Sequence, residues 1–304
     1  MAPPSKCQYR HLVLIILVGL WHTASSMATT VVLIFNPEGI VIGADSKSTQ
    51  LGGNFDVVGS RNVEKITIVQ DRIAIADVGL NRAVIRRRVR YDFASFLADI
   101  IAELPVNVSV SELAAIVELK SGEAFSDYSN TVIKTHNIVR PNPALEQCRP
   151  LVQYVIAGYE NGKPTIFVVH VNIDWHRETV DAPIKTLVYP LEGETVDFGV
   201  LTVGNNEAIK SFANPKSYAY KQALSRAPIA FKKLVAHDHL TLTEAQRLSR
   251  VLISIEEQVD PDQVGGNISV VVITKKEGKA VPLTKARPAP PCHGSEHNLP
   301  NCVR

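Results

Sequence analysis

Apolar and polar positions along the chain fall into runs with two different periods. Residues 30–35 are apolar and β-branched, Asn36-Pro37-Glu38-Gly39 has turn chemistry, and residues 40–44 are apolar again, which predicts a hairpin. Residues 65–69 and 72–76 form a second hairpin around Gln70-Asp71. Four short strands are thus expected before any helix. Ile85, Val89, Phe93, Phe96, Ile100 and Leu104 then recur at steps of three and four, the stripe of a helix that ends at Pro105. Ser109 and Glu112 have the spacing of a capping box and open a second helix with Leu113, Ile116 and Val117 on its apolar side.

Strands resume at residues 152–157 and 165–170, joined through Asn161-Gly162. Residues 172–197 predict one strand and an irregular connection, and residues 198–203 another strand. Residues 216–235 read as helical. Thr241 and Glu244 form a second capping box, followed by a stripe of Ala245, Leu248, Leu252, Ile255 and Val259. Residues 267–274 are a last apolar strand. Pro, Lys and Gly dominate from Glu277, so residues 277–304 are expected to be a mobile tail. Strands grouped in runs favour antiparallel sheets with helices packed outside them. No internal repeat divides the chain, which predicts one α+β domain over residues 29–276.

The start of the chain has another character. Lys6 and Arg10 precede an apolar run over residues 12–21. At about 1.5 Å rise per residue this is too short to span a bilayer. It suits the core of a signal peptide, and Ser26 and Ala28 satisfy the small-residue rule for cleavage before Thr29. On this reading residues 1–28 are removed, the protein is exported, and no stable membrane span remains. If translation starts at Met27 instead, the protein stays in the cytoplasm.

Composition adds exclusions. The chain has 304 residues, 45% hydrophobic and 20% charged, with 32 Lys and Arg against 30 Asp and Glu. A net charge of +2 gives no reason to expect nucleic acid as a partner. The cluster Arg86-Arg87-Arg88 with Arg90 reads as a solvated helix face. Cys292 and Cys302 could pair in an oxidising compartment, leaving Cys148 free once Cys7 has left with the leader. Cys292, His293, His297 and Cys302 match no standard zinc spacing, and His237-Asp238-His239 reads as a surface loop rather than a metal site. Phosphate-loop, zinc-protease and Gly-x-Ser-x-Gly motifs are all missing from the sequence.

Five segments carry chemistry in order. Thr29 opens a strand that leads, through a Gly turn, to Gly43-Ala44-Asp45-Ser46-Lys47. Val63-Glu64-Lys65-Ile66 follows, then Ala74-Ile75-Ala76-Asp77-Val78-Gly79. Ile156-Ala157-Gly158 opens a hairpin, and Gly265-Gly266-Asn267-Ile268-Ser269 opens the last strand. Taken singly, each has an ordinary structural role. Together, over most of residues 29–275, they resemble a mature proteasome β-type subunit, an N-terminal nucleophile hydrolase.

The resemblance implies a four-layer αββα sandwich of two antiparallel sheets. It implies a site with Thr29 as nucleophile, Asp45 and Lys65 beside it, and the Gly79 N–H as oxyanion donor. It further implies hydrolysis of peptides, or of small amides in a related amidohydrolase, without metal or organic cofactor, and ring-like homo-oligomers. A catalytically silent structural subunit is the remaining alternative. The sequence also departs from the family pattern. Ala28 replaces the usual Gly before the nucleophile, and Lys47 stands where the signature has Arg. Val264 replaces a Ser, and Pro261 replaces an Asp, flanked by Asp260 and Asp262. Gly204-Asn205-Asn206 replaces Gly-Ser-Gly, and residues 50–56 look inserted. Lys47, Asn205, Asp260 and Asp262 are therefore candidate auxiliary residues.

Overall fold

The computed structural model describes residues 29–51, 57–79, 82–85, 88–128, 148–174, 179–190, 198–204, 206–236 and 238–283. The strands are β1 (Thr30–Asn36), β2 (Gly39–Asp45), β3 (Lys47–Leu51), β4 (Val57–Asn62), β5 (Ile66–Val69), β6 (Ile73–Gly79), β7 (Arg82–Ile85) and β8 (Arg88–Asp92). Helices α1 (Phe93–Glu103) and α2 (Val110–Tyr128) come next, followed by β9 (Cys148–Glu160), β10 (Lys163–Asp174), β11 (Thr179–Val180), β12 (Ile184–Tyr189) and β13 (Gly199–Gly204). The chain continues with α3 (Glu207–Lys210), α4 (Tyr218–Arg226), α5 (Pro228–Val235), α6 (Leu242–Val259), β14 (Ile268–Thr274) and β15 (Ala280–Pro282).

Among the described residues all strand pairs are antiparallel. One sheet has the order β13-β1-β2-β14-β15, and the other β11-β10-β9-β6-β5, with β12 also paired to β10. The inner faces meet through Val31, Leu33, Ile40 and Ile42 on one side and Ala74, Ala76, Val155 and Ala157 on the other. Helix α6 covers the outer face of the first sheet, with Leu248 and Leu252 against Val32, Ile34 and Val41. Helices α1 and α2 cover the second, with Leu97, Leu113 and Val117 against Ile75, Val152 and Ile156. The result is an αββα sandwich. Because both faces of β1 and β2 are covered, these strands read as continuous apolar runs and not as an alternation. Each fully buried Leu or Val in these layers contributes about 1.5–3 kcal/mol.

Both capping boxes form. Ser109 Oγ accepts from Glu112 N at 3.1 Å and Ser109 N donates to Glu112 Oε2 at 2.8 Å. Thr241 and Glu244 exchange the same pair of bonds.

Three expectations are corrected. The first helix starts at Phe93, where Asp92 accepts from Ser95 N at 3.3 Å, and not near Ile85. Ile85 and Val89 belong to β7 and β8, a hairpin, and so do Arg88 and Arg90; Arg86 and Arg87 lie outside the described residues. A step of four keeps a residue on one strand face as well as on one helix face, so the 85–89–93 spacing did not discriminate. Among the described residues eight strands, not four, precede the first helix, because β3–β4 and β7–β8 form separate hairpins. Residues 50–51 lie in β3, and 52–56 fall outside the described residues. Finally, the order extends past 277. β15 pairs with β14, and Arg250 Nη2 donates to Leu283 O at 2.6 Å. Among the described residues no helix is long and apolar enough to cross a membrane.

Candidate active site

The ends of β1, β2, β5, β6 and β13 and one loop build the site. Thr29 immediately precedes β1, at the rim of the first sheet. Pairing of Val31 with Ala44 brings the end of β2 alongside, and Thr30 N donates to Asp45 Oδ1 at 2.8 Å. On the other side, Thr30 pairs with Gly204 of β13. Gly204 has φ +90°, and a Cβ there would overlap the Thr29 carbonyl oxygen and crowd Val78 of β6. A glycine is required for this approach. Lys65 comes from the other sheet, just before β5, and reaches across.

Lys65 Nζ donates to Thr29 Oγ1 and to the carbonyl oxygen of Lys47, and it stands 3.6 Å from Asp45 Oδ1. Thr29, Asp45 and Lys65 are each 1% exposed. Asp45 Oδ2 accepts from Lys47 N at 3.2 Å and from Gly265 N at 3.1 Å. The 260–267 loop thus holds the carboxylate through a backbone N–H.

Burial pushes Lys65 below the ordinary lysine range, opposed by Asp45 and then by Asp77. Burial likewise pushes Asp45 above the usual carboxylate range, opposed by Lys65 and by the N–H groups of Thr30, Gly265 and Lys47. Both directions disfavour the charged forms. The bonding favours the charged pair. Three acceptors surround Nζ, which matches the three donors of an ammonium, and three N–H groups point at Asp45, which matches an acceptor-only carboxylate.

Gly79 ends β6 with φ +101°, opposite Val152, where a Cβ would come within 2.7 Å of Leu151 O. Only glycine fits without strain. Lys47 contributes its backbone to the site, while its side chain turns away to donate from Nζ to Pro261 O at 2.5 Å. Asp260 closes α6 through its backbone N–H to Glu256 O at 2.8 Å, and Asp262 is exposed. Asn205 lies outside the described residues. Its neighbour Asn206 donates from Nδ2 to Thr202 Oγ1 at 3.1 Å.

A pocket of about 340 Å³ opens beside this centre, walled by Lys47, Asn62, Glu257, Pro261, Gly265 and Gly266. Two participants were not singled out as functional by the sequence reading. Gly265 belongs to a recognisable paired-glycine segment, which was the available signal. Asp77 lies in the same segment as Gly79, where the resemblance assigns a role to the glycine and none to the carboxylate.

No family model matches the chain, and no curated protein matches it. Among solved structures the chain is similar to the Anbu (Gly-1) mutant from Hyphomicrobium sp. strain MC1. The TM-score is 0.46 at 14% identity, covering 84% of this chain and 86% of that one.

Proposed function

We propose that this chain is a proteasome-like threonine-type N-terminal nucleophile hydrolase that cleaves amide bonds, most readily those of peptides. The observation that carries the reading is the buried Lys65 Nζ, which bonds to Thr29 Oγ1 with Asp45 behind it. A threonine hydroxyl is a weak nucleophile until a base takes its proton. Once residues 1–28 are gone, the α-amine of Thr29 is that base; its reference pKa of about 7.7–8.0 leaves a useful neutral fraction near neutral pH. Lys65 lowers the pKa of both hydroxyl and amine by its charge. Oγ1 attacks the amide carbonyl, the N–H of Gly79 receives the oxyanion, the amine product leaves with a proton, and water hydrolyses the resulting ester. The site needs no metal or organic cofactor for this sequence of steps.

Activation and export are then one event, because a nucleophile that uses its own α-amine is idle until the preceding peptide bond is cut. Ala28 and Ser26 suit a signal peptidase, and self-cleaving relatives carry Gly at this position. Ala28→Leu should block processing and hydrolysis together, whereas Thr29→Ala should still be processed to residue 29. Sequencing the termini of both variants, expressed with the leader intact, tests this. An uncut Thr29→Ala chain would show that the cut is made by Thr29 itself, and a mature chain beginning at Ala28 would block the amine and favour a silent subunit.

The processed chain is also proposed to form a ring-like homo-oligomer, since both helical layers that the resemblance uses for assembly are present. Light scattering at micromolar concentration should give a mass of several chains. A monomer alone would overturn this part.

A further inference from the structure

Asp77 is a fully buried carboxylate that the proposed reaction does not use. Its position follows from strand register. Ile66 pairs with Ala76, and Asp77 N donates to Lys65 O at 2.9 Å, so Lys65 and Asp77 stand opposite each other where β5 begins. Asp77 in turn pairs with Tyr154 of β9. Residues directly opposite across antiparallel strands sit about 4.5–5.5 Å apart. Lys65, Asp77 and Tyr154 therefore form one row across three strands.

The row continues into the helical layer. Tyr154 OH lies 2.7 Å from Tyr91 OH, and both rings are buried. Burial, with Asp77 adding to it, pushes both phenols well above their ordinary range, so they stay neutral. Among the described residues, the titratable groups that face this row are Asp45 from β2, Tyr91 and Asp92 from β8, and Tyr154 from β9, besides Lys65 and Asp77.

We propose that Asp77 is a second anionic partner of Lys65, a positioning residue that works with Asp45 to keep the lysine charged and aimed at Thr29 Oγ1. Asp45 already accepts three backbone N–H bonds, so its charge is shared between them and the ammonium. A carboxylate on a second side of Lys65 offsets the desolvation that would strip its proton. Asp77 is 0% exposed, so it acts through Lys65 and does not touch substrate. The consequence for activity rests on the function proposed above; the coupling of Asp77 to Lys65 does not.

The test is a titration of Lys65 itself. In protein labelled with ¹³C at lysine Cε, the Lys65 resonance, assigned by its loss in Lys65→Met, is followed against pH. Asp77→Asn, close to isosteric, should lower the Lys65 midpoint by about one unit or more, the size expected when one nearby opposite charge is lost. Asp77→Ser, smaller and also neutral, should do the same and serves if the Asn variant folds poorly. Where hydrolysis is measurable, the alkaline limb of kcat/KM should move down with the midpoint, a shift that a merely structural role would not produce. A midpoint unchanged in folded Asp77→Asn or Asp77→Ser overturns the proposal. A shifted midpoint in a chain without hydrolase activity would leave it standing and sink the proposed function instead.

Discussion

Thr29→Ala is expected to lower amide hydrolysis by a factor on the order of 10⁴–10⁶ in a correctly processed chain, the scale seen when a hydrolase loses its nucleophile. The substitution removes Oγ1, the atom that Lys65 addresses. It leaves the β1 ladder, the Thr30 N bond to Asp45 and the Lys65–Asp45 pair in place. The stability loss should be on the order of one hydrogen bond, about 1 kcal/mol. Thr30→Ala is the control. Thr30 contributes its backbone N–H to Asp45, and that bond survives the substitution, so most activity should remain. Assays on both variants, with termini verified by mass spectrometry, decide the matter. Full activity in processed Thr29→Ala would end the nucleophile assignment.

Much of this fold was legible because its elements announce themselves locally. Asn36-Pro37-Glu38-Gly39 ends one apolar run and begins another, and β1 and β2 flank it. Ser109 with Glu112 and Thr241 with Glu244 mark helix starts by their bonding capacity alone. Tertiary effects hid the rest. The β7–β8 hairpin has the sequence spacing of a helix because Ile85, Val89 and Phe93 recur every four residues, and only the Asp92 cap separates the two elements. β15 is three residues long in a Lys- and Pro-rich stretch, and its order comes from the turn that folds it back on β14 and from Arg250, which is distant in sequence.

The candidate site divides the same way. Thr29, Asp45, Lys65 and Gly79 stand at recognisable places in their segments, and the structure places Lys65 against both Thr29 and Asp45. Lys47 O and Gly265 N act through the backbone, so the sequence marks their segments, by the Asp45-Ser46-Lys47 run and the paired glycines, but not these atoms. Asp77 was invisible for another reason: a carboxylate in an apolar strand shows its role only when register sets it opposite Lys65.

Lys65→Met should damage both turnover and stability, and the two losses have separable causes. Turnover should fall by about 10³, because the charge that biases Thr29 toward its nucleophilic form is gone, a loss comparable to removing a preorganised electrostatic contact. Stability should fall by about 3–5 kcal/mol, because Asp45, 1% exposed, would be left without its counterion and must bear an uncompensated charge or take up a proton against its three N–H donors. Adding Asp45→Asn to Lys65→Met removes that orphaned charge. The Asn carbonyl oxygen can still accept from Lys47 N and Gly265 N, but its NH₂ would face the Thr30 N–H, which is a donor like itself. The double variant should therefore recover part of the lost stability and none of the lost turnover. Urea denaturation of wild type, both single variants and the double variant gives the coupling energy directly. Additive losses with no recovery would mean that Lys65 and Asp45 do not act as a pair, and near-normal turnover in folded Lys65→Met would remove the lysine from the mechanism.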